Sequence, residues 1–306
     1  MNAALFATQL INGLQFGLLL FLISAGLSLT FGIMDFINLA HGVFYMIGAY
    51  VGATVALHTG SFFGALVVAV PAGFLIGLVL EWLVMRRLYR RDHLDHVLAT
   101  FGLILCADAA TRYIWGPSGL SVPLPDWLQR TLSFGGLNLP SYRAVVVAGG
   151  LLVAVLLWLV ITRTRVGILV RAAASNDAMA RALGVETRLV FSLVFGVGSA
   201  LAALAGILVA PITGASVGMG DQIVILAFVV IIIGGVGSIR GAFVGAIGVG
   251  LIDTLGRAYL PDMLIHALPG NFASAAGPAL ASVLIYLTMS VVLLLRPAGL
   301  FPPSTR

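Results

Sequence analysis

The first 34 residues contain no Asp, Glu, Lys, Arg or His. Long uncharged stretches of this kind, broken by short segments that carry most of the charge, recur to the end of the chain. In lipid such a stretch is stable as a helix, because a helix satisfies its own backbone hydrogen bonds where water cannot. Crossing the hydrocarbon layer takes roughly 20 mainly apolar residues. The stretches that meet or approach that length are residues 8–31, 40–58, 62–85, 95–114, 144–162, 189–210, 223–237, 240–257 and 277–295. Residues 223–237 are short for a span. The adjoining GGVGSIRGAFVGAIGVG (234–250) reads either as a loop between spans or as a broken, re-entrant helix. The expectation is an all-α, polytopic transmembrane helix bundle of eight to nine spans, built as one domain over residues 1–306.

Composition supports this and excludes other classes. Only 9% of the residues are charged and 60% are hydrophobic, against about 25% charged in a soluble domain. The single cysteine, Cys106, rules out both a disulfide framework and a cysteine-ligated metal site. Its apolar neighbours make it a small core residue, and no cofactor or metal is expected. A pI near 9.9 would suit nucleic acid, but no Arg cluster is interleaved with aromatic residues. The N-terminal stretch lacks a basic leader and a small-residue cleavage site, so it reads as a first span.

All sixteen basic residues are Arg, and their placement orients the bundle, since short loops rich in basic residues stay cytoplasmic. Arg86, Arg87, Arg90 and Arg91 cluster in MRRLYRRDH, and Arg163, Arg165, Arg171, Arg181 and Arg188 lie in segment 163–188. With Arg240, Arg296 and Arg306, twelve of the sixteen fall on one side. Arg112, Arg130, Arg143 and Arg257 fall on the other. The expected arrangement is an external N-terminus and a cytoplasmic C-terminus. Residues 115–143, rich in Pro, Gly and Ser, are expected to form an external loop with turns.

The cytoplasmic segment 163–188 carries helix signals in SNDAMARALG. Ser175 or Asn176 suits the N-cap, Asp177 the first turn, Asp177 and Arg181 an i,i+4 pair, and Gly184 the stop. Ala172, Ala173, Ala174, Ala178, Ala180 and Ala182 leave a surface that another protein can approach closely. The plainer alternative is a basic loop that only sets topology.

Polar groups inside FGIMDFINLAHGVFYMIGAY (31–50) need a reason. On a helix Asp35, Asn38 and Tyr45 fall roughly on one side with His41 close by, while Gly42, Gly48 and Gly52 run along a neighbouring stripe. Small residues let membrane helices approach closely. An ionised Asp at the bilayer centre costs ~2.5 to 3.5 kcal/mol, which places Asp35 at an interface or against a polar interior. Three readings stand open. Asp35 and Asn38 cap the second helix while His41 meets a backbone carbonyl; the group lines a gate or translocation path; or it contacts cargo. Two i,i+4 pairs, Asp253 with Arg257 and Asp108 with Arg112, are expected near the external face, as local pairs or as part of a landing site for an external protein.

Several stretches carry a resemblance. RAAASNDAMARALGV looks like the cytoplasmic motif of ABC importer permeases, in which an alanine-rich helix followed by Gly docks on an ATP-binding subunit. Arg171 stands where the commonest form has an acidic residue. GLSLTFGIMDFINLAHGVFYMIGAYV, IIIGGVGSIRGAFVGA and LRPAGLFP resemble the permeases of branched-chain amino acid ABC importers, and together these pieces span nearly the whole chain. The resemblance implies a type II-like importer permease in the bacterial inner membrane, forming half of a pathway for branched-chain or related amino acids. Its implied partners are a homologous second permease, two ATP-binding subunits and an extracytoplasmic solute-binding protein. It implies a coupling role for Arg171, Ala174, Asn176, Asp177, Ala178, Arg181, Ala182 and Gly184, while Asp35, Asn38, His41 and Tyr45 stay the candidates for a path or gate beside the other two readings. Val43 and Arg240 depart from the acidic residue and the Pro that many members carry. Urea, short amides or another small solute therefore stay open as cargo.

Gly234, Gly235, Gly237 and Gly241 fall in a glycine-rich segment that lacks the GK[ST] ending of a phosphate-binding loop and any strand before it. Helix packing or a break in a span is the better account, and ATP hydrolysis must come from separate subunits. An intramembrane hydrolase lacks its motifs here, with no Gly-x-Ser-x-Gly and no HExxH. A secondary transporter remains the competing class, because broken helices and polar groups at mid-membrane serve those proteins too.

Overall fold

The computed structural model describes residues 3–89, 91–134, 137–265 and 270–301. Arg90, Arg306 and Pro302 of the terminal motif lie outside the described residues. Among the described residues, seven helices are long and apolar enough to cross a membrane. They are α1 (Ala3–Met34), α2 (His41–Thr59), α3 (Phe62–Leu80) with its continuation, α5 (His93–Trp115), α7 (Ser141–Arg163), α10 (Thr187–Thr213) and α12 (Ile239–Ile265). The continuation of α3 is a π-turn, Glu81–Met85, followed by the single turn α4 (Arg86–Leu88). Two further apolar helices complete the bundle, α11 (Met219–Gly234) and α13 (Gly270–Leu295).

Residues 115–140 hold a short helix α6 (Asp126–Gln129) and an antiparallel pair, β1 (Thr131–Phe134) and β2 (Leu137–Pro140), with Thr131 opposite Pro140. An isolated bridge ties Leu120 to Ala215, just beyond α10.

Burial is uneven. α1 and α10 are enclosed along most of their length, whereas α3, α5 and α7 turn most of theirs outward. The enclosed pair are held by small residues, as expected where apolar solvent offers no drive for apolar side chains to associate. A β-carbon on Gly26 of α1 would stand 2.7 Å from the Gly198 carbonyl oxygen of α10. One on Gly17 would stand 2.9 Å from the Ala246 carbonyl oxygen of α12. Around these contacts pack Leu20, Phe21, Leu22, Phe44, Phe195 and Ala202, all at most 1% exposed.

The glycine-rich segment resolves into a turn between two helices. Gly235 (φ 106°) and Gly237 (φ 78°) take left-handed conformations that end α11 and admit the turn. Residues from Ile239 onward run on as α12. Gly234 and Gly241 then face each other across the α11–α12 hairpin.

Candidate functional site

Two polar regions stand out in an otherwise apolar molecule. The first is the α1–α2 junction. Helix α1 stops at Asp35, the only non-glycine residue with positive φ (49°) among the described residues, where its N–H still bonds the Phe31 carbonyl at 2.9 Å. Asp tolerates this conformation better than most side chains, and its own side chain is exposed. Residues 35–40 are therefore not helical, and α2 begins at His41. This corrects the expected single helical face. Asp35 and Asn38 are not on a helix with Tyr45, because the left-handed step at Asp35 breaks the register. Nor do they cap α2, whose N-cap is Ala40 with no side-chain hydrogen bond.

The buried members of the stretch are Asn38 (0% exposed), His41 (1%) and Tyr45 (6%). Both polar atoms of the Asn38 amide and both imidazole nitrogens of His41 lack a hydrogen-bond partner. The backbone of Ile23 approaches the imidazole without the geometry of a hydrogen bond. Ser24, the next residue on that turn of α1, and Ser28 one turn on, also have buried hydroxyls without partners. Most buried polar groups are paired, and leaving one unmade costs about 1 to 3 kcal/mol. The junction thus holds a set of hydrogen-bonding groups ready for a small polar occupant. The glycines of α2 do separate work. β-Carbons on Gly42 and Gly48 would collide with the backbones of Gly220 and Ala203, and one on Gly52 with the Ile207 side chain.

The second region surrounds Glu81, which the sequence reading passed over. Its signal was a lone acid inside LVLEWLVM. Glu81 opens the π-turn and is 1% exposed, and π-turns inside α-helices recur at functional positions. Arg86 meets both its carboxylate oxygens, through Nε at 3.3 Å and Nη2 at 3.1 Å. The Ser192 hydroxyl of α10 donates to Oε2 at 2.8 Å, and Tyr89 Oη donates to Oε1 at 3.1 Å. Arg86 Nη2 also donates to Ser192 Oγ at 2.9 Å. Burial first, and then the Glu81 carboxylate, push the Tyr89 phenol above its ordinary range, which keeps it a donor. Phe36 of the junction packs edge-on to Tyr89 at 5.7 Å and lies 4.4 Å from the His96 ring, which joins the two regions.

Next to this cluster in the chain lie α8 (Arg165–Ser175) and α9 (Asp177–Ala182). The Asn176 side chain caps α9 by accepting from the Met179 N–H at 2.9 Å. Asp177 pairs with Arg181, and Gly184 takes φ 87° just past the helix end. Arg171 donates to the Ile161 carbonyl at the end of α7. Ala174, Ala178, Ala182 and Gly184 are exposed, beside Met179 (58%) and Leu183 (78%). A capped helix with an uncovered face of small and apolar residues suits insertion into a protein cleft.

The two expected i,i+4 pairs part ways. Arg257 Nε donates to Asp253 Oδ1 at 2.8 Å, but Asp108 and Arg112 form no ion pair. Cys106 is exposed, not a core residue, because it lies on the outward side of α5.

Over residues 9–293 the chain matches the family described as branched-chain amino acid transport system / permease component. It is 29% identical over 272 residues to the high-affinity branched-chain amino acid transport system permease protein LivH of Escherichia coli (strain K12), covering 83% of this chain and 87% of that one. It is 28% identical over 306 residues to the corresponding permease protein BraD of Pseudomonas aeruginosa, covering 95% and 94%. A probable branched-chain amino acid transport permease protein of Methanocaldococcus jannaschii is 27% identical over 296 residues. No solved structure matches the chain. With the match running through nearly every helix described above, the chain belongs to the permease component family of branched-chain amino acid transport systems.

Proposed function

We propose that the protein is the inner-membrane permease subunit of an ATP-driven ABC importer and forms half of the pathway for a branched-chain or related amino acid. The observation that carries this reading is the family match over residues 9–293. The names of the relatives, LivH and BraD among them, supply the cargo class. The chain works with a homologous second permease, two ATP-binding subunits that supply hydrolysis, and an extracytoplasmic solute-binding protein. It crosses the membrane eight to nine times, with α11 and α13 counted beside the seven long helices, its N-terminus outside and its C-terminus in the cytoplasm.

In this scheme α9 is the coupling helix, and Arg171, Ala174, Asn176, Asp177, Ala178, Arg181, Ala182 and Gly184 shape what the ATP-binding subunit holds. Movement of α9 reaches α10 directly along the chain, and from Ser192 it reaches Glu81, Tyr89 and Phe36. Asn38, His41 and Tyr45 then line or gate the path, with Asp35 at its rim. Gly42, Gly48, Gly52, Gly234, Gly235, Gly237 and Gly241 hold the helices close or let them turn.

Reconstitution in proteoliposomes with and without the ATP-binding subunits tests the reading. Uptake is expected only with ATP and with those subunits; uptake that persists without hydrolysis would mark a secondary transporter. Gly184→Trp, or bulky residues at Ala178 and Ala182, should separate hydrolysis from uptake while the bundle stays folded. Normal coupling in those variants would reduce the segment to a topology signal.

A further inference from the structure

Asp108 and Asp221 come together from α5 and α11, 113 positions apart in sequence. A β-carbon on Gly218, which precedes α11 in a left-handed conformation (φ 81°), would stand 3.7 Å from Asp221 Oδ2 and 3.9 Å from Asp108 Oδ2. Both carboxylates thus border one small space floored by bare backbone. Neither forms an ion pair among the described residues. Asp108 lies about 10 Å along the axis from the end of α5, at 1.5 Å per residue. An acid at that depth is costly against lipid and as a rule faces an aqueous path or a partner.

A second polar group without a partner lies on α2. The Tyr50 side chain of α2 is 0% exposed, and its hydroxyl has no hydrogen-bond partner. That hydroxyl lies within electrostatic range of the Asp108 carboxylate. Its ring is held by Trp115 at 5.2 Å, whose Nε1 donates to Thr54 at 2.8 Å. The phenol is therefore fixed, buried and short of a partner, near an Asp108 carboxylate that forms no ion pair among the described residues. No group of three or more metal-ligating side chains exists among the described residues, too few for a divalent ion held by protein oxygens. Two acceptors and a phenol suit an organic ammonium, which brings three donors and one positive charge.

We propose that Asp108, Asp221 and Tyr50 form a site for the ammonium group of the amino acid cargo on the pathway face of the permease. The proposal rests on the importer reading above. It makes α5 and α11 a wall of the path, with the half-buried Asp108 and the exposed Asp221 turned toward it.

The test uses the complete importer in proteoliposomes, radiolabelled leucine as probe, and the variants Asp108→Asn, Asp221→Asn and Tyr50→Phe. Each Asp variant should lower uptake about tenfold, the loss expected when a charged hydrogen-bond partner is removed. Tyr50→Phe should lower it less, and the double Asp variant should be little worse than either single one. Hydrolysis stimulated by the solute-binding protein should survive, and Asp108→Glu should regain part of the uptake; loss of that stimulation in step with uptake would make the carboxylates a landing site for the binding protein and overturn the proposal. If wild type takes up none of the three branched-chain amino acids, the importer reading itself fails. If wild type takes up leucine and both Asn variants do so undiminished, the site alone fails. Loss of assembly in step with loss of uptake would make the pair structural and overturn the proposal as well.

Discussion

The α1–α2 junction and the Glu81 cluster are both polar, both buried and joined through Phe36, yet they are opposite in chemistry. At Glu81 each carboxylate oxygen has a partner, drawn from α4, the Tyr89 hydroxyl and α10. At the junction, Asn38 and His41 have none for their side chains. A satisfied network fixes one arrangement of helices, whereas an unsatisfied one raises the energy of the empty state and favours whatever fills it. The first is suited to transmit a movement and the second to respond to an occupant.

Substitutions should break this contrast in opposite directions. Glu81→Ala leaves Arg86 without its anion and Tyr89 without an acceptor, while Ser192 keeps the Arg188 carbonyl at 3.0 Å. Breaking a fully buried pair costs about 3 to 5 kcal/mol. Arg86 is 39% exposed, so a loss of about 2 to 3 kcal/mol is expected, read as a lowered unfolding midpoint in detergent. Tyr89→Phe removes one charge-assisted hydrogen bond and should cost about 1.5 kcal/mol in the same measurement. His41→Leu and Asn38→Leu should change stability least, within about 1 kcal/mol and toward higher stability, because each removes unmade hydrogen bonds. Both should nonetheless depress uptake in the reconstituted importer. A junction variant that unfolds as readily as Glu81→Ala would show that the two regions do not differ in kind.

Sequence reasoning reached the features that are local in the chain. Each expected span has a helix at its place, because apolar length alone marks a span. The α9 signals were equally local: Asn176, the pair Asp177 and Arg181, and Gly184 all lie within nine residues. What escaped was decided elsewhere. Glu81 finds Ser192 across 111 positions, which no periodicity encodes. Asp108 with Arg112 and Asp253 with Arg257 share one spacing, yet only the second pair forms. Asp108 instead borders, with Asp221, the space beside Gly218, a neighbour from another helix that spacing within α5 does not reveal. The helical reading of 35–41 failed at one residue, because a left-handed Asp ends α1 where the apolar pattern runs on without a break.

Cys106, the chain's single cysteine, is exposed on α5 two residues before Asp108. A thiol-reactive fluorophore or spin label can therefore be placed on this helix in the native sequence, with no other cysteine to remove from the subunit. Distances from that label to a second probe on α9 would follow the proposed pathway wall and the proposed coupling helix in one molecule as ATP is spent.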